Sequence, residues 1–157
     1  MLNIASENED SKRAPRCHVG FSIIGTSLDL DAISVALNTR SAATVRTGDK
    51  RALGPALQDT WTLSSPIESM KPLEEHLHWL RQQLEPHVNY LRGLSRVAKI
   101  RVHVGLTLSR DQNGFAITTE SIHLFSSIGA FIQLYIICDF DDDRPGQAAR
   151  PVAGGRP

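Results

Sequence analysis

Lys99, Arg101 and His103 occupy alternate positions of a stretch in which apolar residues fill most of the positions between them. Side chains at alternate positions of a β-strand point to the same face of a sheet. An ammonium, a guanidinium and an imidazole on one face can bind a carboxylate or another anion through charge-assisted hydrogen bonds. The sequence therefore predicts a face with binding chemistry, although an antiparallel sheet with one side in water shows the same pattern.

Two further stretches alternate in the same way and add polar residues to that face. One covers residues 17–24 and carries His18, and the other covers residues 131–138 and carries Gln133 and Tyr135 within an apolar run. We expect the apolar residues to face helices and the polar ones to share the opposite side of the sheet. The candidate binding face predicted from the sequence therefore consists of His18, Lys99, Arg101, His103, Gln133 and Tyr135.

An irregular segment between residues 39 and 58 is a second candidate for binding. It is rich in Arg, Thr, Ala and Gly. Backbone amides at glycines can approach a phosphate, yet the segment lacks the glycine spacing of a P-loop or a Rossmann turn. Arg46, Gly48 and Asp49 are the candidate binding residues of this loop, and loop solvation explains the same composition.

Motifs for catalysis and metal binding do not stand out. The chain has no Gly-x-Ser-x-Gly elbow, and His18 lies on the opposite strand face from Cys17, so it cannot activate that thiol. His76 and His78 form the only His-x-His motif, but helical residues two apart point about 200° from each other. A zinc site needs three or four convergent ligands. We therefore expect a non-enzymatic protein with no cofactor and no metal.

The composition narrows the possible partners. The 157 residues carry 17 Lys+Arg and 17 Asp+Glu, for a formal net charge of zero. Nonspecific nucleic-acid binders usually have a basic excess, so we expect no nucleic-acid partner, and the balance also argues against binding to an anionic membrane. No apolar run has the length of a signal peptide or a membrane span. We expect a cytoplasmic protein whose oligomeric state the sequence leaves open.

Strand and helix patterns alternate through the first half of the chain. After the strand at residues 17–24, Asp29 is expected to cap a helix, and strands near 43–46 and at 61–64 follow. A stripe of leucines then marks a long helix that starts at Pro72. These elements have apolar residues on one side only, so each must pack on another element.

The second half contains the longest regular strand pattern, Val97–Leu108. Before it, Pro86 should kink or restart the long helix, since an internal proline costs about 3 kcal/mol. After it, a turn at 112–114 is expected to form a hairpin. The last three predicted elements are a short strand at 115–117, a helix capped by Thr119 with Ile122, Phe125 and Ile128 facing inward, and a strand at 131–138.

This order predicts an α+β fold. It is a two-layer sandwich in which helices cover one face of a mostly antiparallel sheet. The first six elements could form a ferredoxin-like βαββαβ unit that the last three extend. We expect a single domain at residues 16–140, between a disordered N-terminal arm at 1–15 and a disordered C-terminal tail at 141–157.

A series of short motifs gives the chain a family resemblance. They are the strand, glycine and helix start within Phe21–Leu37, then Arg46-Thr47-Gly48-Asp49, Trp61-Thr62-Leu63-Ser64, Leu73-Glu74-Glu75-His76-Leu77 and Ser127-Ile128-Gly129-Ala130. In order and spacing, residues from about 18 to 139 resemble the bacterial domain of unknown function 4279 family. The chain has Ser41-Ala42 where that family has proline and threonine. The resemblance implies a small, stand-alone bacterial cytosolic protein without known catalysis, and some members of the family look like toxin-immunity proteins.

These observations favour a protein-binding module, such as an immunity or inhibitor protein. It would use the polar sheet face or the Arg-rich loop to contact its partner. The alternative is a small-molecule or anion-binding domain that uses the same residues, and a hydrolase without a recognisable motif is a third possibility.

Overall fold

The computed structural model describes residues 16–108 and 114–138. Its strands are β1 (Arg16–Gly25), β2 (Ala43–Val45), β3 (Lys50–Arg51), β4 (Gly54–Pro55), β5 (Asp59–Ser64), β6 (Lys99–Leu108) and β7 (Phe131–Cys138). Its helices are α1 (Leu30–Ala36), α2 (Leu73–Leu84), α3 (Val88–Leu94) and α4 (Thr119–Ser127), with a 3-10 turn at Glu85–His87. The predicted N-terminal arm and C-terminal tail lie outside the described residues.

Five strands form one sheet in the order β2-β5-β1-β6-β7. Every neighbouring pair is antiparallel except β6 and β7, which run parallel. β3 and β4 form a separate small hairpin. The predicted α+β fold with a mostly antiparallel sheet is confirmed. From β1 to β6, leaving out the small hairpin, the chain also follows the predicted β-α-β-β-α-β order.

The hydrophobic core lies between the sheet and the helices. Phe21 and Trp61, on the adjacent strands β1 and β5, meet edge to face with ring centroids 6.5 Å apart. Neither ring is accessible to solvent, and the indole nitrogen of Trp61 donates a hydrogen bond to Ser34 Oγ on α1 at 2.9 Å. The predicted leucine stripe is confirmed, because all four members are buried against the sheet: Leu73, Leu77, Leu80 and Leu84.

Pro86 interrupts the long helical segment as predicted. α2 ends at Leu84, the 3-10 turn contains Pro86, and α3 restarts at Val88. A proline has no N–H to donate and its ring clashes with the preceding turn, so the helix cannot continue through it. The restart allows Leu91 of α3 to reach the core, where it is buried.

The predicted hairpin strand after β6 is wrong. Residues 114–118 form no regular secondary structure, and β7 takes the place beside β6. The β6–β7 register contains eight residue pairs, from Arg101↔Phe131 to Leu108↔Cys138. A three-residue strand would satisfy fewer of the backbone groups along the edge of β6. The parallel direction requires a crossover, which α4 supplies.

The N-cap residue of α4 and the set of α4 residues that face the core also differ from the prediction. Thr118, not Thr119, is the N-cap, and its Oγ1 accepts the N–H of Ser121 at 3.4 Å. Ile122 is 50% exposed, so it does not face inward. The buried residues are spaced at three and four positions, as a helix with 3.6 residues per turn requires; they are Ser121, Leu124, Phe125 and Ile128.

A buried carboxylate joins two connections at one end of the sheet. Asp59, at the start of β5, accepts hydrogen bonds from the backbone N–H groups of Leu28 at 2.8 Å and Thr47 at 2.7 Å. Thr47 Oγ1 donates to the same carboxylate at 3.0 Å. The Thr47 amide, followed by the Leu28 amide, lowers the pKa of Asp59. Asp59 therefore fixes the segment before α1 relative to the irregular loop.

We predict that Asp59→Asn destabilises the fold. An amide NH₂ group cannot accept a hydrogen bond, so a side-chain flip cannot satisfy every donor that the carboxylate binds. The pKa of Asp59 is lower in the folded protein than in the unfolded chain. The ionised carboxylate therefore stabilises the fold at pH values above its unfolded pKa of about 3.9, and this stabilisation is lost as the pH falls through its folded pKa. Urea denaturation at neutral pH should give a lower midpoint for this variant. Asp31→Asn, which changes a 94% exposed side chain, is the control, and equal midpoints would contradict the assignment.

Candidate binding face

All six residues of the predicted binding face lie on the side of the sheet opposite the helices. His18 pairs with Gly105, and His103 pairs with both Gly20 and Gln133. Directly paired residues share a face of the sheet, while the buried apolar strand residues occupy the other face. We call this side the open face; its members from β1, β6 and β7 are Arg16, His18, Gly20, Ser22, Ile24, Lys99, Arg101, His103, Gly105, Thr107, Phe131, Gln133, Tyr135 and Ile137.

The His103 imidazole lies directly over Gly20 on the neighbouring strand. A Cβ atom added at Gly20 would overlap Nε2 and Cε1 of the ring, so the close approach requires glycine at this position. Ser22, two residues further along β1, is only 1% exposed. Its Oγ lies 3.4 Å from Thr62 Oγ1 of β5. The centre of the open face is therefore closely packed.

Side chains of β6 contact side chains of β7 across the open face. Arg101 Nη1 donates to Gln133 Oε1 at 3.3 Å. Lys99 Nζ lies 4.4 Å from the centroid of the Phe131 ring, a distance typical of a cation–π contact. These contacts hold the two cationic side chains on the face. Tyr135 and Ile137 lie further along β7, opposite Gly105 and Thr107 of β6.

Two buried nitrogen atoms at the centre of the face are unpaired. Within the described part of the chain, neither Arg101 Nε nor His103 Nδ1 has a hydrogen-bond partner. A buried polar atom without a partner costs about 1–3 kcal/mol. Burial, followed by the charge of Arg101, lowers the pKa of His103. The His103 ring is therefore neutral at pH 7, and the charge at this point comes from Arg101.

The charge of the open face has one sign. Arg16, Lys99 and Arg101 lie on it, whereas none of the five strands of the sheet contributes a carboxylate to it. The whole chain has as many acidic as basic residues. Within the five strands of the sheet, the open face therefore carries only positive charges, which give it a local positive potential.

Apolar side chains from β7 complete the face. Tyr135 is 51% exposed and Ile137 is 63% exposed. Phe131 is also exposed, under Lys99. Aromatic side chains beside arginine are the composition enriched in protein–protein interfaces. The face is thus both cationic and partly apolar.

The candidate loop uses its backbone amides internally. The N–H of Arg46 donates to Asp49 Oδ2 at 2.7 Å, and that of Thr47 donates to Asp59. The N–H of Gly48 donates to the Ala56 carbonyl, and that of Asp49 to the Arg46 carbonyl. Gly48 has a φ of +91°, which favours glycine. The amides of Arg46, Gly48 and Asp49 are therefore occupied, and binding by this loop, which stays a prediction, would depend on side chains.

His76 is a buried polar residue that the sequence pattern did not single out as core. It is 1% exposed on α2, and its Nδ1 lies 3.0 Å from Ser65 Oγ. Burial lowers the pKa of His76, with the nearby Glu68 carbonyl opposing the shift. His78 is exposed and lies 3.0 Å from the Gln82 amide. The two histidines point apart, as the helical spacing predicts.

The described residues contain no group of three or more His, Cys, Asp or Glu that could hold a metal ion. Cys17 is buried, and burial raises the pKa of its thiol to about 11. A thiol with a raised pKa is a poor nucleophile at neutral pH. The Ser65–His76 pair lacks a third group to orient the imidazole, because His76 Nε2 has no partner among residues 16–108 and 114–138.

The fold and the open face define a class: an α+β domain with helices on one side of a five-stranded sheet and a cationic, partly apolar surface on the other. A family model described as Domain of unknown function (DUF4279) matches residues 15–139. The chain belongs to this family, which confirms the resemblance seen in its motifs. No curated protein and no solved structure matches significantly. In the described residues, no helix combines the length and apolar character needed to cross a membrane.

We predict that Gly20→Ala destabilises the protein by about 1–3 kcal/mol, because the new methyl group forces the His103 ring or the β1 backbone to move. Replacing His103 with alanine in the same chain should recover part of this loss. Urea denaturation measures both effects. Gly105→Ala is the matched control on the same face, since its added Cβ would meet its nearest neighbours at 3.9 Å. A Gly20→Ala variant as stable as the control would contradict the packing.

The buried His76 and the partly buried His103 predict a loss of stability in mild acid. Their folded pKa values lie below the unfolded value of about 6.5. The unfolded chain therefore binds more protons, and the free energy of unfolding falls as pH drops through about 6.5 towards the folded values. Urea denaturation between about pH 5 and pH 8 should show this fall. His76→Asn, which can still bond Ser65, should make it shallower.

The control for this experiment is His123→Asn, which changes an exposed histidine on α4. The comparison is between slopes of stability against pH, so a general loss of stability in the His76 variant does not affect it. Wild-type protein with the same urea midpoint at both ends of the pH range would contradict the prediction.

Proposed function

We propose that this protein is a non-catalytic binding module whose open face docks on an acidic surface of a partner protein. The observation that carries the proposal is the segregation of charge. A chain with zero formal net charge places Arg16, Lys99 and Arg101 on one sheet face to which none of the five strands of that sheet adds a carboxylate. A face of one sign steers an oppositely charged partner and rejects like-charged ones.

The dimensions of the face suit a protein partner. Five strands about 4.8 Å apart and up to about 33 Å long give a face of roughly 600 Å². Each partner in a standard protein–protein interface contributes about 800 Å². A surface of this size, together with residues at its edges, approaches the area that one partner contributes to a specific complex.

Arg101 and Tyr135 are the expected centres of binding energy. Arginine and tyrosine are enriched among the residues that dominate interface energetics. The hydrogen bond to Gln133 already orients the Arg101 guanidinium, so less side-chain freedom is lost on binding. Exposed Tyr135 and Ile137 can be covered by apolar groups of the partner, while the cations meet its carboxylates.

An immunity or inhibitor role fits this module. Such a protein acts by covering the surface of its partner and needs no catalytic group, cofactor or metal of its own. A positive face would suit a partner whose functional surface is acidic. The cytoplasm is the compartment in which we propose that this binding takes place.

A second candidate is binding of a small molecule or anion at the centre of the face. Arg101 Nε and His103 Nδ1 support it, because both are buried and unpaired within the described residues. Because the His103 ring is neutral, its Nδ1 can either donate or accept, according to the tautomer. Both atoms are closed to solvent, so an oxyanion reaches them only when a neighbouring side chain moves. It would then accept from Arg101 Nε, and from His103 Nδ1 where that atom carries the proton, and so remove the cost of the unpaired atoms.

Charge reversal on the open face tests the proposal. The immobilised protein is used to capture a partner from a lysate of the source cell, and mass spectrometry identifies that partner. Lys99→Glu and Arg101→Glu should each abolish this capture. Lys71→Glu, which makes the same charge change at an exposed residue before α2, should retain it. With the purified partner, each open-face variant should weaken binding at least about tenfold, or 1.4 kcal/mol, and added salt should weaken wild-type binding.

The outcomes separate the two candidates. Equal capture by wild type and both open-face variants would overturn binding through this face. Anion binding is the better candidate if no protein is captured and inorganic phosphate stabilises the protein through Arg101. In that case phosphate should raise the melting temperature of the wild type and of Lys71→Glu, but not that of Arg101→Glu. Circular dichroism of each variant excludes loss of the fold as the cause.

A further inference from the structure

β7 is an edge strand without the usual features that protect an edge. It ends the five-stranded sheet and pairs only with β6 among the described strands. Its sequence, FIQLYIIC, contains no charge, no proline and no glycine. The opposite edge strand, β2, is only three residues long. Proteins normally shorten, charge or cover a sheet edge, because its free N–H and C=O groups can pair with another strand.

The side chains of β7 are exposed on both sides of the sheet. Leu134 is 41% exposed and Ile136 is 48% exposed on the helix side, although the β6 residues paired with them are buried. Tyr135 and Ile137 are exposed on the open face. The helix layer therefore stops short of this edge. A strand added beyond β7 would cover apolar groups in both layers.

We propose that β7 pairs with β7 of a second copy of this chain, antiparallel and about a twofold axis perpendicular to the sheet. The two five-stranded sheets would then form one continuous sheet. The two helix layers would lie on the same side of it. This pairing concerns the strand edge and does not depend on the function proposed for the open face.

The symmetry makes β7 complementary to itself. An antiparallel pair about such an axis brings together residues of the same face, so Ile132, Leu134 and Ile136 of one copy meet the same aliphatic set of the other. On the open face, Phe131, Gln133, Tyr135 and Ile137 meet in the same way. Because β7 has no charged residue, no like charges oppose each other across the axis.

The cationic residues do not oppose this arrangement. Lys99 and Arg101 lie on β6, one strand in from the edge. The two copies of β6 would be three strand spacings apart, about 14 Å. This distance exceeds the Debye length of about 8 Å at physiological salt, so repulsion between them is largely screened.

The area indicates a weak dimer. A fully exposed large side chain has an accessible area of about 200 Å². The exposed fractions of the apolar β7 side chains then give up to about 450 Å² that each copy could bury, and the backbone hydrogen bonds add to the binding energy. The total is close to the lower limit of about 1,000 Å² for a specific interface. The association should therefore depend on concentration in the micromolar range.

Sedimentation velocity of the full chain tests the proposal. Wild-type protein should change from monomer to dimer as its concentration rises through the micromolar range. Ile136→Lys places a charge at the edge of each copy and should raise the dissociation constant at least tenfold. Val35→Lys is the matched control, since Val35 is an 80% exposed aliphatic residue on α1, and it should dimerise like the wild type.

Hydrogen exchange of the wild type provides a measurement that needs no variant. Amides of β7 should exchange more slowly at a high concentration than at a concentration where the protein is monomeric. A monomer at all concentrations, or equal dimerisation of the Ile136 and Val35 variants, would overturn the proposal. Slow exchange, in the monomer, of the β7 amides that point away from β6 would also overturn the proposal, because a segment of the same chain would then occupy that edge.

Discussion

The contact between the His103 ring and Gly20 determines how β1 and β6 meet on the open face. These two strands form the centre of the sheet, with nine residue pairs from Arg16↔Thr107 to Ile24↔Lys99. Glycine lets the imidazole lie against the β1 backbone. The ring is partly desolvated there and stays neutral at pH 7. Consequently the face has a packed centre from which the guanidinium of Arg101 extends, instead of a row of independent solvated side chains.

The side chains of β6 alternate between the two faces of the sheet, with apolar residues on the helix side and polar residues on the open face. Ile100, Val102 and Val104 are buried under the helices, and Lys99, Arg101 and His103 lie on the other side. The strand can carry this division because antiparallel pairing needs only one covered face. The outward positions are therefore not required for the core, and the positive charges of Lys99 and Arg101 in a chain of zero formal net charge call for an explanation in binding or solubility. The exposed Tyr135 and Ile137, further along the same face, favour binding, because solubility does not require exposed apolar side chains.

Local patterns in the sequence predict what depends on neighbouring residues along the chain. The alternation of β1 and β6, the leucine stripe of α2, the break at Pro86 and the Asp29 cap all follow from periodicity, proline geometry and hydrogen-bond capacity. Features that depend on distant residues were missed. The parallel partner of β6 is 30 residues away in sequence, and Asp59 becomes buried only because Leu28 and Thr47 come to it. The helix pattern did not mark His76 as buried, because nothing in it reveals Ser65 opposite the ring.

The open face and the edge of β7 point in perpendicular directions, and they share only the β7 residues of the open face, such as Tyr135 and Ile137. Lys99 and Arg101, one strand in from the edge, stay available to a partner in the paired form. A twofold axis perpendicular to the sheet would place the two open faces side by side on the same side of the joined sheet. An axis within the sheet plane would instead put the open face of one copy on the same side as the helices of the other. Only the perpendicular axis also puts aliphatic Leu134 and Ile136 of both copies in the same layer. Side-by-side faces could engage two acidic sites of one partner, and the second contact would then form at a high effective concentration. The proposed pairing at the edge of β7 is thus compatible with the proposed binding by the cationic face.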